Sequence, residues 1–141
     1  MAKKRNPREL SKKTIPQLQK VLWPLISRYV KLNHSKDGRY NDCFTCDNVM
    51  EIGTIQNHCG HFLPRTYSPT KYQEDNLRPT CSSCNTFYGG RPVEYERNLR
   101  LEIGDERVEE LKRMSVMPWK WDRFYLIDKI EYYKAELKTY E

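Results

Sequence analysis

The sequence predicts an α+β fold, mainly helical, in which a small irregular centre is stapled by a metal ion and flanked by helices on both sides. Three observations predict it. Four cysteines stand as two CxxC pairs, Cys43/Cys46 and Cys81/Cys84. Apolar residues recur at helical spacing before and after these pairs, whereas between them the pattern is short and broken. The 141 residues are only 38% hydrophobic, with a mean hydropathy of -0.91. That leaves a modest core, the situation in which a metal staple contributes most.

Residues 1–13 read as a basic arm. Lys3, Lys4, Arg5, Arg8, Lys12 and Lys13 face Glu9 alone, so nearly all of the formal +6 charge falls there. Such an arm suits nucleic-acid phosphates; the plainer reading is a solvated solubility tail. It has no apolar stretch of the signal-peptide kind, which favours a reducing cytoplasm. Residues 14–38 are the next segment. From Ile15 to Leu32 the positions Leu18, Leu22, Leu25, Ile26, Tyr29 and Val30 keep a helical period, with Pro24 expected to kink or split the helix. His34-Ser35-Lys36-Asp37-Gly38 reads as a helix end and turn, with His34 at the surface or capping.

Residues 39–90 form the centre. Val49 to Ile55 fits a strand, turn and strand around Gly53, after which Thr54 to Phe62 delivers His58 and His61. Thr66 to Asp75 is polar, contains Pro69, and reads as a long loop before Asn76-Leu77-Arg78-Pro79. Ser82 to Tyr88 starts a helix that Gly89-Gly90 ends. In residues 91–141, Val93 to Ile103 places Tyr95, Leu99 and Ile103 on one face. Gly104 breaks that helix, and Val108, Leu111 and Met114 follow in another. After Pro118, Trp121 to Tyr140 carries Phe124, Ile127, Ile130, Tyr133 or Lys134, and Leu137 in period. Aromatic residues can stack on bases, but this spacing is that of a core or partner helix. These helices are expected to brace the centre or form a homodimer. No run reaches the length of a membrane span.

Two residues between paired cysteines let a tight turn present both sulfurs to one tetrahedral ion. Two such turns complete a closed four-thiolate site, and the 34 residues between Cys46 and Cys81 carry the histidines. Two disulfides would use the same cysteines but leave Cys59 over, so structural zinc at Cys43, Cys46, Cys81 and Cys84 is the better reading. Cys59 itself reads as a buried structural residue. A closed zinc has no open position for chemistry. Hydrolysis of a phosphodiester needs an activated water and charge neutralisation at the phosphate and the leaving oxygen. A neutral imidazole suits the first task, and a hard divalent ion suits the others. A second metal, magnesium or manganese, is therefore expected near His58, His61 and Asn85.

Cys59-Gly60-His61-Phe62-Leu63-Pro64-Arg65, then Asn76 to Asn85 with its CxxCN ending, then Gly89-Gly90, resembles the phage NinG or Rap recombination proteins. The resemblance covers roughly Cys43 to Gly104, with the arm and the last helix matched only in character. More distantly the spacing is similar to that of phage recombination endonuclease VII, a zinc-containing nuclease of the HNH or ββα-metal class. The resemblance implies an HNH-type core. In it His61 is the general base, Asn85 binds the catalytic metal, Asn76 orients the histidine or its loop, and Arg65 faces the scissile phosphate or its neighbour. It implies a metal-dependent DNA endonuclease acting on branched recombination intermediates such as Holliday junctions or D-loops, in a bacterial host cytoplasm if phage-encoded.

One departure stands out. Many HNH nucleases have an aspartate ligand immediately before the base histidine, and here that residue is Gly60. His58 is the candidate substitute. Residues three apart on a regular strand point to opposite faces, so His58 and His61 converge only if Gly60 allows a bulge or turn. Two other functions fit the sequence: an HNH nuclease of restriction or defence type on duplex DNA, and a non-catalytic zinc-dependent DNA-binding module.

Overall fold

The computed structural model describes residues 7–141, with side chains from Glu9 onward, so Lys3, Lys4, Arg5 and the Arg8 side chain of the basic arm lie outside the described residues. In chain order the elements are α1 (Pro7–Ser11), α2 (Ile15–Asn33), β1 (Tyr40–Asp42), β2 (Val49–Glu51), β3 (Asn57–His61), β4 (Leu77–Cys81), α3 (Pro92–Ile103), α4 (Asp105–Ser115) and α5 (Arg123–Lys138). Short 3₁₀ turns at Ser68–Thr70 and Glu74–Asn76 precede β4, and a single π turn, Ser83–Phe87, follows it. The chain forms two compact units, Met1–Tyr29 with Lys120–Glu141, and Val30–Trp119. Among the described residues, 7–29 and 120–141 thus group together.

In the first unit α2 begins at a reciprocal cap: Gln17 N donates to Thr14 Oγ1 (3.3 Å) and Thr14 N donates to Gln17 Oε1 (2.9 Å), satisfying two backbone donors that a helix start leaves open. Leu18, Leu22, Ile26 and Tyr29 are buried on one face. Pro24 lies inside the helix without splitting it; it is exposed, and the apolar stripe continues past it. Asp122 caps α5 by accepting from Phe124 N at 3.0 Å. The buried face of α5 is Leu126, Ile130 and Tyr133, while Phe124 is 73% exposed. The expected phase at Phe124 is thereby corrected, because two interleaved apolar stripes fit the same period. Tyr133 meets Tyr29 with ring centroids 5.1 Å apart, and Arg123 donates to the carbonyls of Ser11 and Lys13.

The second unit contains two antiparallel ribbons. β1 pairs with β2, Asn41 opposite Met50, and β3 pairs with β4, from Asn57 opposite Cys81 to His61 opposite Leu77. The expected hairpin within Val49 to Ile55 is not formed: β2 turns back on β1, and Gly53, at φ 91°, starts the turn that leads to β3. β4 supplies the element that the sequence reading did not assign to Leu77, Arg78 and Pro79 after the Thr66 to Asp75 loop. Pro79 is admissible because its carbonyl accepts from Phe44 N (3.0 Å). Its nitrogen faces that same outer edge, so no bond to β3 is lost. Phe62, Tyr95, Leu99, Val108 and Leu111 form the core against which α3 and α4 pack. The Asp75–Arg107 ion pair, 2.7 Å, ties the loop before β4 to α4.

A candidate metal centre and the histidine ribbon

The loop between β1 and β2 carries Cys43 and Cys46, and the end of β4 with the following π turn carries Cys81 and Cys84. Their four sulfurs lie within 4.8 Å of one another. An ion about 2.3 Å from each sulfur of a tetrahedron sets edges of about 3.8 Å; Cys46 Sγ and Cys81 Sγ are 3.7 Å apart. That distance is far beyond the roughly 2.05 Å of a disulfide, and all five cysteines are free. Backbone N–H groups point at the sulfurs: Cys81 N donates to Cys43 Sγ (3.2 Å), Asn48 N to Cys46 Sγ (3.4 Å) and Cys84 N to Cys81 Sγ (3.4 Å). Arg91 Nε donates to Cys84 Sγ at 3.0 Å. Donor set, spacing and hydrogen bonds all suit a thiolate-bound cation of the zinc type.

Charge is unevenly shared in the cluster. Burial, reinforced by the neighbouring thiols, pushes Cys46 up to about 12 against the pull of the Asn48 N–H. Burial also opposes ionisation of Cys81, but the Cys84 N–H, the Asn48 amide and the thiols of Cys84 and Cys46 outweigh it and bring Cys81 down to about 6. A cation among the four sulfurs would compensate the charge that burial disfavours at Cys46. Arg91 is held by more than this contact. It has φ 47°, a left-handed conformation uncommon outside glycine, and its guanidinium stacks 4.0 Å from the Tyr88 ring centroid.

β3 and β4 keep a continuous register with no bulge. His58 and His61 therefore leave opposite faces of the ribbon, and the turn at Gly60 that would have joined them is absent. His58 Nε2 lies 3.0 Å from the carbonyl of Ile55 and Nδ1 lies 3.0 Å from the Asn85 amide nitrogen. A carbonyl only accepts, so the proton sits on Nε2 and Nδ1 keeps a lone pair toward Asn85. The structure thus brings His58 and Asn85 together and keeps His61 apart from them.

His61 Nε2 bonds the carbonyl of Lys71 at 3.0 Å. Burial pushes its pKa down to about 4; the Lys71 carbonyl counteracts this, and the charges of Lys71 and Arg65 add to the depression. A neutral imidazole beside two cations is the result. Burial and then Arg65 likewise lower Lys71. The loop that supplies Lys71 is closed by Asn76, fully buried, whose Oδ1 accepts from Leu63 N (2.7 Å) and whose Nδ2 donates to the carbonyls of Leu63 (3.0 Å) and Thr70 (3.1 Å). Asn76→Ala takes the partner from Leu63 N and the Leu63 carbonyl, while the Thr70 carbonyl still accepts from Gln73 N at 3.2 Å, and is expected to lower stability by about 2 kcal/mol, at roughly 1 kcal/mol or more per orphaned group. Denaturant unfolding measures it; a loss under about 1 kcal/mol would mean that the loop closes without Asn76.

Sequence reasoning missed several of these partners. Lys71 holds His61 through its backbone, which no residue-type motif records. Tyr95 Oη donates to the Gly60 carbonyl at 2.9 Å, and Asn98 Nδ2 donates to the Phe44 carbonyl at 2.8 Å, so α3 braces both the ribbon and the first cysteine turn. The sequence shows Tyr95 in an apolar stripe and in the pattern shared with the resembling family, but not its bond to the Gly60 carbonyl. A family model described as the bacteriophage Lambda NinG protein matches residues 2–141. No curated protein and no solved structure matches the chain.

Proposed function

The chain belongs to the bacteriophage lambda NinG family, and on that footing we propose that it is an HNH-type, metal-dependent DNA endonuclease whose substrates are branched recombination intermediates. The observation that carries this reading is the His61 environment: an imidazole kept neutral, pinned by a backbone carbonyl and flanked by Arg65 and Lys71. With Nε2–H donated to Lys71, Nδ1 carries the lone pair that would take a proton from water as that water attacks phosphorus. Arg65 and Lys71 neutralise the phosphate oxygens. Asn76 keeps the loop that positions both partners of His61. Magnesium or manganese held by His58 and Asn85 would supply charge neutralisation at the leaving 3′ oxygen. Zinc at Cys43, Cys46, Cys81 and Cys84 holds β4 and the π turn bearing Asn85 to the first cysteine turn, and takes no part in the chemistry.

A second reading is favoured by a specific observation. Gly60 brings no acid, and His58 and His61 leave opposite faces, as in a zinc-dependent DNA-binding module without catalysis. One gel comparing linear, forked and four-way DNA, with and without magnesium or manganese, separates the two. Metal-dependent cutting of the branched forms supports the nuclease; binding without cutting in either metal supports the module. Cutting of linear duplex alone points to the restriction or defence type.

The pH profile follows from His61. Its neutral form is active, so kcat/KM is expected to hold as pH falls through 6.5 and to decline only toward about 4. Linkage has the same sign. The unfolded chain binds this proton first, so the stability that His61 contributes is complete above 6.5 and is lost as pH falls to about 4. An acid limb centred at 6.5 would remove His61 as the base in this environment.

A further inference from the structure

The π turn Ser83–Phe87 closes through Tyr88 N, which donates to the Ser83 carbonyl at 3.2 Å. Single π turns are uncommon and recur at functional sites. Its surroundings hold this one in place. Gly90 N donates to the Cys84 carbonyl (2.8 Å), and Arg91 Nε donates to Cys84 Sγ (3.0 Å). Ser82 N donates to the Gln56 carbonyl (2.9 Å), and His58 joins the Ile55 carbonyl to the Asn85 amide. The loop before β3 and the π turn are thereby bonded to each other twice. On this fixed backbone three large apolar side chains stay in solvent: Ile55 is 89% exposed, Phe87 81% and Tyr88 58%. One exposed apolar residue needs no explanation. Three on two joined segments mark a surface kept for contact.

Charge and ring chemistry decide what fits that surface. Arg91 stacks 4.0 Å from the Tyr88 ring centroid, and neither residues 52–58 nor residues 81–93 contain an acid. Glu94, the first acid beyond them, acts on Arg91 only through its charge. Behind the turn Cys81 and Cys84 are buried, and their sulfurs are met by the Cys84 N–H and by Arg91. A polyanion can therefore approach, and rings beside a guanidinium are suited to stacking on bases. In linear duplex every base is covered on both faces by its neighbours. At a branch point the stack ends and a base face is open. We infer that Phe87 and Tyr88 form a stacking platform for the open base at a DNA branch point, and that Phe87 thereby sets the preference for branched over linear DNA. The inference rests on the reading of branched DNA as the substrate, and it adds the residue that recognises the branch. Phe87 ends the turn that carries Asn85, so the platform stands beside the histidine ribbon.

The test uses the zinc-loaded full chain, titrated at one salt concentration with linear and four-way DNA of the same arm sequence. Phe87→Ala should weaken four-way DNA by about five- to a hundredfold, the loss of one base–aromatic stack, and linear duplex by less than about twofold. The side chain is exposed, so thermal melting should not change. Phe87→Trp should keep the preference for four-way DNA. Phe87→Leu, apolar but without a π face, should lose it. The fluorescence of a 2-aminopurine left unpaired at the branch should be quenched by the natural protein and stay bright with Phe87→Leu. Phe87→Ala that keeps the preference, or that weakens both DNAs alike, overturns the inference and leaves the nuclease reading standing. So does a change from dimer to monomer in Phe87→Ala with the preference kept, which would assign the surface to a second copy of the chain. If the natural protein binds four-way and linear DNA alike, the inference falls; if it also cuts branched DNA in no metal, the nuclease reading falls with it.

Discussion

His61→Ala is expected to lower DNA cleavage by roughly 10² to 10⁴ fold, the usual share of a general base, while DNA affinity stays nearly unchanged. His61 is the imidazole held by the Lys71 carbonyl, and its burial keeps it unprotonated at neutral pH. Its removal takes away the proton acceptor but leaves Arg65, Lys71 and the cysteine cluster in place. The ribbon does not depend on its side chain, because β3 and β4 are joined by backbone bonds from Asn57–Cys81 to His61–Leu77. Asn85→Ala should behave differently: it removes a metal donor, so the metal concentration needed for half-maximal cleavage rises and the rate recovers at saturation. Single-turnover rates across a manganese titration distinguish the two variants. Full cleavage by His61→Ala would sink the HNH mechanism, and loss of DNA binding together with cleavage would return His61 to a structural role.

The second large effect is expected at the cysteines. Cys81→Ser, or a strong chelator, should unfold the Val30–Trp119 unit around its ribbons, since the free energy of binding zinc is part of the folding free energy of small metal-held domains. Cys81 has the most to lose. It ends β4 and its backbone N–H donates to Cys43 Sγ. Its own sulfur accepts from Cys84 N and from the Asn48 side chain. Apart from the cysteines, Met50 is the buried apolar side chain in this part of the core. Circular dichroism and thermal melting follow the loss, with zinc content measured alongside. Unchanged melting in protein shown to be free of zinc would overturn the four-cysteine assignment.

The long helices were legible because their period is redundant. About five turns in α2 and about three each in α3 and α4 outvote a single Pro24 or a single exposed apolar residue. α5 was legible in extent and at Ile130 and Tyr133, which are buried as the period expects, but not at its first turn, where Leu126 and not Phe124 is buried. The ribbons were the weak point. Strands of three to five residues carry too few alternations to reveal their partners. Pro79 argues against a strand until the edge it faces is known.

The candidate site divides along the same line. The cysteine spacing by itself determined which four residues would meet, because two-residue turns and tetrahedral geometry are local constraints that leave few alternatives. The motif also singled out His58, His61, Asn76 and Asn85. What each of them touches was decided by tertiary structure. The uninterrupted β3–β4 register sends the two histidines to opposite faces, Lys71 reaches His61 through a backbone carbonyl, and Thr80 occupies the space before Gly60. Backbone carbonyls have no residue type, and a steric contact across a ribbon depends on register, so neither leaves a mark in a linear pattern of side chains.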